Sequence, residues 1–549
     1  MRNVIRRLVG GALVALFSLT PACTQQPAAP VVQKPEKKIL RVGMVRSAIR
    51  QQSVEVVKDG IKRLIPAGVG FTAVFSTLLL KQRAKSLAGL PEVPAHYLPG
   101  DPFESFEISE DEREIIFTLK EGALFSDGTP VTPADIKRSF DEMAEHVGFY
   151  RTYYEKVEVA IIDKRRVKLL ANGPHKLMGD TTESVVIYKD GATSKAVEGN
   201  MCGFPSSVGT GPYRFLECQG SKTIVLTRNE HYRPTPYFSE VHIDLYESRA
   251  AVGVALMRGD VDIIYPAEQY EYASLVLPPA LVRKRFLDPC SVVLDFNKNH
   301  PLYGDRRVRQ GISLLINRRS LMASLPREAV ESGGGISLFW WLYAPEERDA
   351  LIDASFNPEK GYQLLAEAGW RLREGVLEKG GRPFSLVIEA GFDVRRAIEI
   401  LRMVASQLTD AGFVVDLVYD DYAIPNSRRH VPYQPGDSGV AAQTYCAASL
   451  ERFRLLFDHL LPGDMGKKYY AAYQSCARED HQCRSRVIRN MAVGINEEAW
   501  VVTLTNQVSD VIYNSQELGV AADAYLQNPW GGEFLYRYPA PHGRTVVGP

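Results

Sequence analysis

The stretch Phe117–Phe140, FTLKEGALFSDGTPVTPADIKRSF, constrains the fold of this chain more than any other part of it. Just before and into it, apolar residues run through Ile115-Ile116-Phe117-Thr118-Leu119 with the alternation of a strand. Ser126-Asp127-Gly128-Thr129-Pro130 then forces a turn: Asp bonds its own backbone, Gly tolerates positive φ and Pro restricts φ. Thr132 reads as a helix N-cap, with Pro133 at the first helical position and Asp135 in the first turn. The spacing of Ile136, Phe140 and Met143 predicts a helix over Ala134–Glu145 that buries one side against the strand layer. The unit is strand, turn and helix, a piece of a layered α/β fold with no chemistry of its own.

At 549 residues, with 45% hydrophobic and 24% charged residues, the chain is of ordinary globular composition and too long for one core. Two or three lobes are expected. Lys+Arg and Asp+Glu both total 65, which argues against a surface built for nucleic acid. At the N-terminus, Arg2, Arg6 and Arg7 precede the apolar run Leu8–Leu19, as in a secretory signal, and the run is short for a membrane span. Leu19-Thr20-Pro21-Ala22-Cys23 resembles a bacterial lipobox, with Thr20 and Pro21 departing from its usual residues. Residues 1–22 are therefore expected to be a signal peptide, Cys23 a lipidation site and residues 23–38, rich in Pro, Gln and Lys, a tether. An ordinary signal peptide with Cys23 incidental is the alternative. Cys202, Cys218, Cys290, Cys446, Cys476 and Cys483 allow up to three disulfides in an exported chain. Proximity favours Cys476 with Cys483, then Cys202 with Cys218; their spacing does not suit zinc, and no metal is expected.

Along the chain, Ile39–Val45 reads as a strand opening the mature domain, and Gly70–Leu80 as helix-like. Val157–Leu170 suits paired strands. Val208-Gly209-Thr210-Gly211-Pro212-Tyr213-Arg214-Phe215 is a turn that leads into a strand; it lacks the Gly-Lys-Ser/Thr of a phosphate loop. Val252–Met257 followed by Arg258-Gly259-Asp260-Val261-Asp262 is a helix ended by glycine, and its two carboxylates suit a turn and helix-end role better than a catalytic one. Val292–Asn297 is a strand, and a helix is expected from the Pro301–Ile312 block to about Leu325, carrying Arg306, Arg307 and Arg309 as a solvated face or a structural ion pair. Gly311 within it costs about 1 kcal/mol relative to Ala unless a close helix contact offsets this. Gly333-Gly334-Gly335 precedes the aromatic patch Phe339-Trp340-Trp341-Leu342-Tyr343, either packed core or the apolar wall of a pocket. A proline-started helix (Phe356–Trp370, with Gly361), a strand (Phe384–Glu389), a helix (Arg395–Ala411) and a strand (Val414–Val418) follow, the two strands as parallel neighbours.

Several of these blocks, in this order, resemble the bacterial extracellular solute-binding proteins of family 5, which include peptide- and nickel-transport receptors. The blocks are the Ser-Asp-Gly-Thr-Pro turn with its helix, Val-Gly-Thr-Gly-Pro-Tyr with its Asn-x-x-Tyr turn, the helix ending in Gly-x-x-Asp, and Phe-Asn followed by Val-Arg-Gln. The resemblance implies an α/β, periplasmic-binding-protein-like fold (type II, cluster C) with two hinged lobes plus an extra subdomain. It divides the chain into lobe I (residues 39–85, 204–285 and 505–549), an extra subdomain (residues 86–203) and lobe III (residues 286–504). The implied function is capture of oligopeptides, or a related small solute, for an ABC permease in the inner membrane, by a monomeric lipoprotein on the periplasmic or extracellular face. No cofactor and no catalysis are implied. The alternative is a membrane-tethered receptor or chaperone-like interaction protein of the same fold without transport. Arg46 and Ser47 after the first strand, Trp340, Trp341 and Tyr343 in the aromatic patch, and Gln443 and Tyr445 in Gly439–Cys446 are the ligand-binding residues expected by this likeness. Peptide receptors of the family carry a Trp and acidic residues near that last stretch, and Gly439–Cys446 has no Trp and no Asp-Pro pair. No Gly-x-Ser-x-Gly elbow or His-Glu-x-x-His helix suggests a hydrolase.

Overall fold

The computed structural model describes residues 38–46, 53–58, 61–66, 79–82, 96–146, 157–172, 185–189, 208–233, 235–267, 276–297, 299–323, 343, 345–390, 398–419, 438–446, 461, 464–477 and 480–518. In chain order the strands are β1 (Ile39–Val45), β2 (Ser53–Lys58), β3 (Ile61–Pro66), β4 (Leu79–Gln82), β5 (His96–Pro99), β6 (Phe103–Ile108), β7 (Glu114–Leu119), β8 (Val157–Ile161) and β9 (Arg166–Ala171). Then come β10 (Tyr213–Gln219), β11 (Thr223–Arg228), β12 (Glu240–Tyr246), β13 (Ile263–Ala267), β14 (Leu281–Phe296), β15 (Arg371–Arg373), β16 (Val376–Lys379), β17 (Arg382–Pro383), β18 (Ser385–Ala390), β19 (Val414–Tyr419), β20 (Gly439–Cys446) and β21 (Val501–Asn514).

The opening unit folds as its residues dictate. β7 buries Ile115, Phe117 and Leu119 on one side, and the helix Pro133–His146 lays Ile136, Phe140 and Met143 into the same core. The Thr132 hydroxyl accepts from the Asp135 N–H, while the Asp135 carboxylate accepts from the Thr132 N–H at 2.9 Å, a reciprocal cap. The sheet beside that helix has the order β6-β7-β9-β8 and is antiparallel throughout. The Ser126 N–H donates to the Gly209 carbonyl at 2.9 Å, and the Lys189 N–H to that of Val208 at 2.9 Å. The two glycine-bearing turns of the sequence therefore meet, and their role is to join this sheet to the next.

That next sheet has ten strands in the order β10-β11-β12-β1-β13-β21-β14-β20-β18-β19. β1 is parallel to β12 and β13, and β18 is parallel to β19 and β20. Between these sets run two long antiparallel strands, β14 of 16 residues and β21 of 14, paired from Leu281 with Asn514 to Asp295 with Val501. One apolar core covers β1, β10 to β13 and the four-stranded sheet, and a separate one covers β18 to β20, the far half of β14 and their helices.

Two expectations change and one holds. The helix after Pro301 is two helices, Arg306–Leu314 and Arg318–Ala323. Arg318, the first residue of the second helix, reaches back to donate to the carbonyls of Ser313 and Ile316, so it satisfies the end of the first helix. Leu79 and Leu80 belong to strand β4 rather than to a helix, paired with Pro99 and Leu98. As expected, Asp260 and Asp262 lie in the turn after the helix Arg249–Arg258, ahead of β13. Asp262 is buried and takes a bidentate pair from Arg41 (2.6 and 3.2 Å) plus the Arg41 N–H at 2.8 Å, which ties β1 to the start of β13.

Candidate functional site

Strand direction locates the site. β13 opens with Ile263 opposite Tyr513 and closes with Ala267 opposite Asp510, so its carboxyl end points toward the middle of β21. β20 opens with Val440 opposite Phe296 and closes with Cys446 opposite Cys290, so its carboxyl end points toward the middle of β14. Each parallel set shares the direction of its member, so both sets face each other with their carboxyl ends. In open α/β sheets ligands bind outside those ends, where strand order reverses. At that place the β14–β21 ladder slips register between Leu287 and Ser291, a bulge that bends and twists the crossing strands.

On the β12 side, Arg46 follows β1 and is held by two groups. Its Nε donates to Glu247 at 2.7 Å and its Nη2 to the Ser221 carbonyl at 2.8 Å. On the β20 side, alternation puts Ser291, Val293 and Asp295 on one face with Gln443 and Tyr445. The Tyr445 hydroxyl donates to Asp295 at 2.7 Å, and the Ser291 hydroxyl to the Asn506 side-chain oxygen at 3.1 Å, all four side chains being buried. Among the described residues, the amide nitrogens of Gln443 and Asn506 and the Thr503 hydroxyl are buried without a hydrogen-bond partner. A buried donor left unmet costs about 1–3 kcal/mol, so three such groups on neighbouring strands are a costly arrangement for a core.

Of the residues expected from sequence, Gln443 and Tyr445 are brought together, and Tyr343 joins the apolar cluster that Tyr445 and Val293 share. Arg489 lies over the Tyr343 ring at 5.3 Å from its centroid, and burial pushes the Tyr343 hydroxyl pKa up. Arg46 belongs to the other side of the crossing. Ser47, Trp340, Trp341, Cys23 and Cys202 lie outside the described residues. Cys476 and Cys483 are bonded, and Cys218 is disulfide-bonded. Sequence reasoning missed Asp295, Ser291 and Asn506; a carboxylate within the apolar run Val292–Phe296 was the available signal. Arg306, Arg307 and Arg309 are structural. Arg309, buried, donates to the carbonyls of Tyr303 (2.6 Å) and Glu498 (2.7 Å) and stacks 3.4 Å from the Trp500 ring centroid. Arg306 pairs with Glu498 and Arg307 with Asp305. A cavity of about 370 Å³ opens where the two glycine turns meet, lined by Ser126, Asp127, Arg214, Glu230 and His231 among others.

Residues 99–440 match the sequence profile described as bacterial extracellular solute-binding proteins, family 5 Middle. A putative ABC transporter peptide-binding protein of Brucella ovis is 28% identical over 283 residues, 49% of this chain and 52% of the relative. The chain thus spans about half the length of the curated relatives it matches. Among solved structures, the oligopeptide-binding protein AppA of Bacillus subtilis in complex with a nonapeptide superposes with a TM-score of 0.64 at 17% identity, covering 87% of this chain and 95% of that one. NikA of Brucella suis in complex with Fe(III)-EDTA gives 0.63 at 17% identity, with the same coverage. The fold is the type II periplasmic-binding-protein fold.

Proposed function

Because the chain belongs to the bacterial extracellular solute-binding proteins of family 5, we propose that it captures a small solute outside the inner membrane and delivers it to an ABC-type permease. The observation that carries this reading is the facing of two sets of strand carboxyl ends across β14 and β21. Lobe I (residues 39–85, 204–285 and 505–549) with its extra subdomain (residues 86–203) and lobe III (residues 286–504) then hinge on these strands, and a solute that bridges them shifts an open–closed equilibrium toward closed.

Oligopeptide is the favoured cargo, because relatives of this chain are peptide- and oligopeptide-binding proteins. Arg46, Ser47, Trp340, Trp341 and Tyr343 supply the walls of the cleft, and Gln443 and Tyr445 its floor. Gln443 and Tyr445 are buried, so they act by holding the shape of that floor. Asp295, buried beneath the Tyr445 hydroxyl, holds that ring in place from below. A lipid on Cys23 keeps the monomer at the membrane.

Native mass spectrometry of the purified protein, before and after unfolding, tests the proposal. A ladder of peptide masses released on unfolding is the expected result. A single non-peptide mass keeps capture and overturns peptide as cargo. No bound mass, together with no thermal shift on adding peptide pools, overturns capture and favours a tethered interaction protein without transport.

A further inference from the structure

Two cysteines that the candidate site leaves unused stand opposite one another at the end of a ladder. The antiparallel pairing of β14 with β20 runs from Phe296 with Val440 to Cys290 with Cys446, its last rung. Directly opposed residues of an antiparallel pair keep their Cα atoms about 4.5–5.5 Å apart. That separation falls within the range of about 4.4–6.8 Å that a disulfide spans without backbone movement. The bonded Cys476 and Cys483 have their Cα atoms 5.7 Å apart, in the same range. Cys476, Cys483 and Cys218 are already disulfide-bonded, so the chain suits a compartment in which such bonds persist.

The place of this rung gives a link there its use. Against its other neighbour, β21, strand β14 slips register between Leu287 and Ser291. Within that slip Pro289 has no N–H to give to either neighbour. The rungs that follow Cys290 with Cys446 are those of the candidate floor, Ser291 with Tyr445 and Val293 with Gln443. A slip of one residue would turn Gln443 and Tyr445 to the opposite face of the sheet and part Tyr445 from Asp295. We propose that Cys290 and Cys446 are joined by a disulfide that staples the end of this ladder and fixes its register beside the site. Each thiol gives up one hydrogen as the S–S bond forms. A small disulfide oxidant such as oxidised glutathione takes up both, through a mixed disulfide, and leaves as two thiols. The bond does not depend on what the chain captures.

Peptide mapping of the full-length protein tests the pairing. The protein is alkylated in denaturant without reductant and digested with trypsin. The expected product is residues 286–298 joined to residues 430–452, which reductant splits into two peptides of one cysteine each. An alkylated thiol at either position, or a link from either one to another cysteine, overturns the proposal. Hydrogen exchange read by mass spectrometry tests the staple. The double variant Cys290→Ser with Cys446→Ser is expected to exchange the amides of residues 443–446 about tenfold faster than wild type, by local opening, with β12 and β19 unchanged. Equal protection in wild type and double variant overturns the staple. If the double variant fails to fold, the peptide map of the wild type decides alone.

Discussion

Gly311 and Gly361 show how a single missing methyl sets a helix contact. A Cβ at Gly311 would lie 2.7 Å from Leu365 Cγ and 3.1 Å from the Gly361 carbonyl oxygen, and a Cβ at Gly361 would lie 3.1 Å from Leu315 Cγ. Helix propensity favours alanine at either place by about 1 kcal/mol. Here the crowding wins, because Leu365 is buried and a backbone carbonyl has no rotamer to yield. Gly311→Ala is expected to lower stability by about 1–2 kcal/mol, read as an earlier urea midpoint at unchanged slope; a later midpoint would mean that the helices separate freely. Asp262 is legible in a different way. Its place after the helix-ending Gly259 was readable, but its bidentate partner Arg41 lies 221 positions earlier and no local pattern announces it. Arg41 is partly exposed, which screens the pair, so Asp262→Asn is expected to cost about 1–3 kcal/mol in the same titration.

Elements were the most readable scale. The helix Pro133–His146 starts and buries itself as Thr132, Pro133 and the Ile136–Phe140–Met143 spacing require, since caps and a 3.6-residue period act within a few residues. Thr132→Ala removes one half of the reciprocal cap and is expected to cost about 1 kcal/mol, lowering the thermal midpoint without altering the far-UV spectrum. Where reading failed, a distant partner had overridden local preference. The helix expected to reach Leu325 breaks at residues 315–317, and Arg318 then turns back to its end and donates to the Thr503 carbonyl at 2.7 Å. That acceptor comes from a strand 185 residues away. The candidate floor was half-readable for the same reason. Gln443 and Tyr445 stood out in their own strand, whereas Asp295, Ser291 and Asn506 became site residues only through the register of β14 with β20 and β21.

At the scale of the whole molecule, two large apolar cores are joined by β14 and β21, each core drawing on a different part of those strands. Such an arrangement departs from all-or-none unfolding. Scanning calorimetry is expected to give a calorimetric enthalpy larger than the van't Hoff value, and a single transition with equal enthalpies would show the cores to be one cooperative unit. By itself the sequence determined the opening strand–turn–helix unit, its caps, the glycine turns, the α/β class and the family, because these follow from periodicity and short motifs carried on contiguous residues. Only the tertiary structure decided that two strands run through both cores, that the glycine turns meet as a joint, and that Cys290 stands opposite Cys446. Those features are pairings between residues that chain-local physics leaves independent, and burial selects among them only once the whole chain is packed.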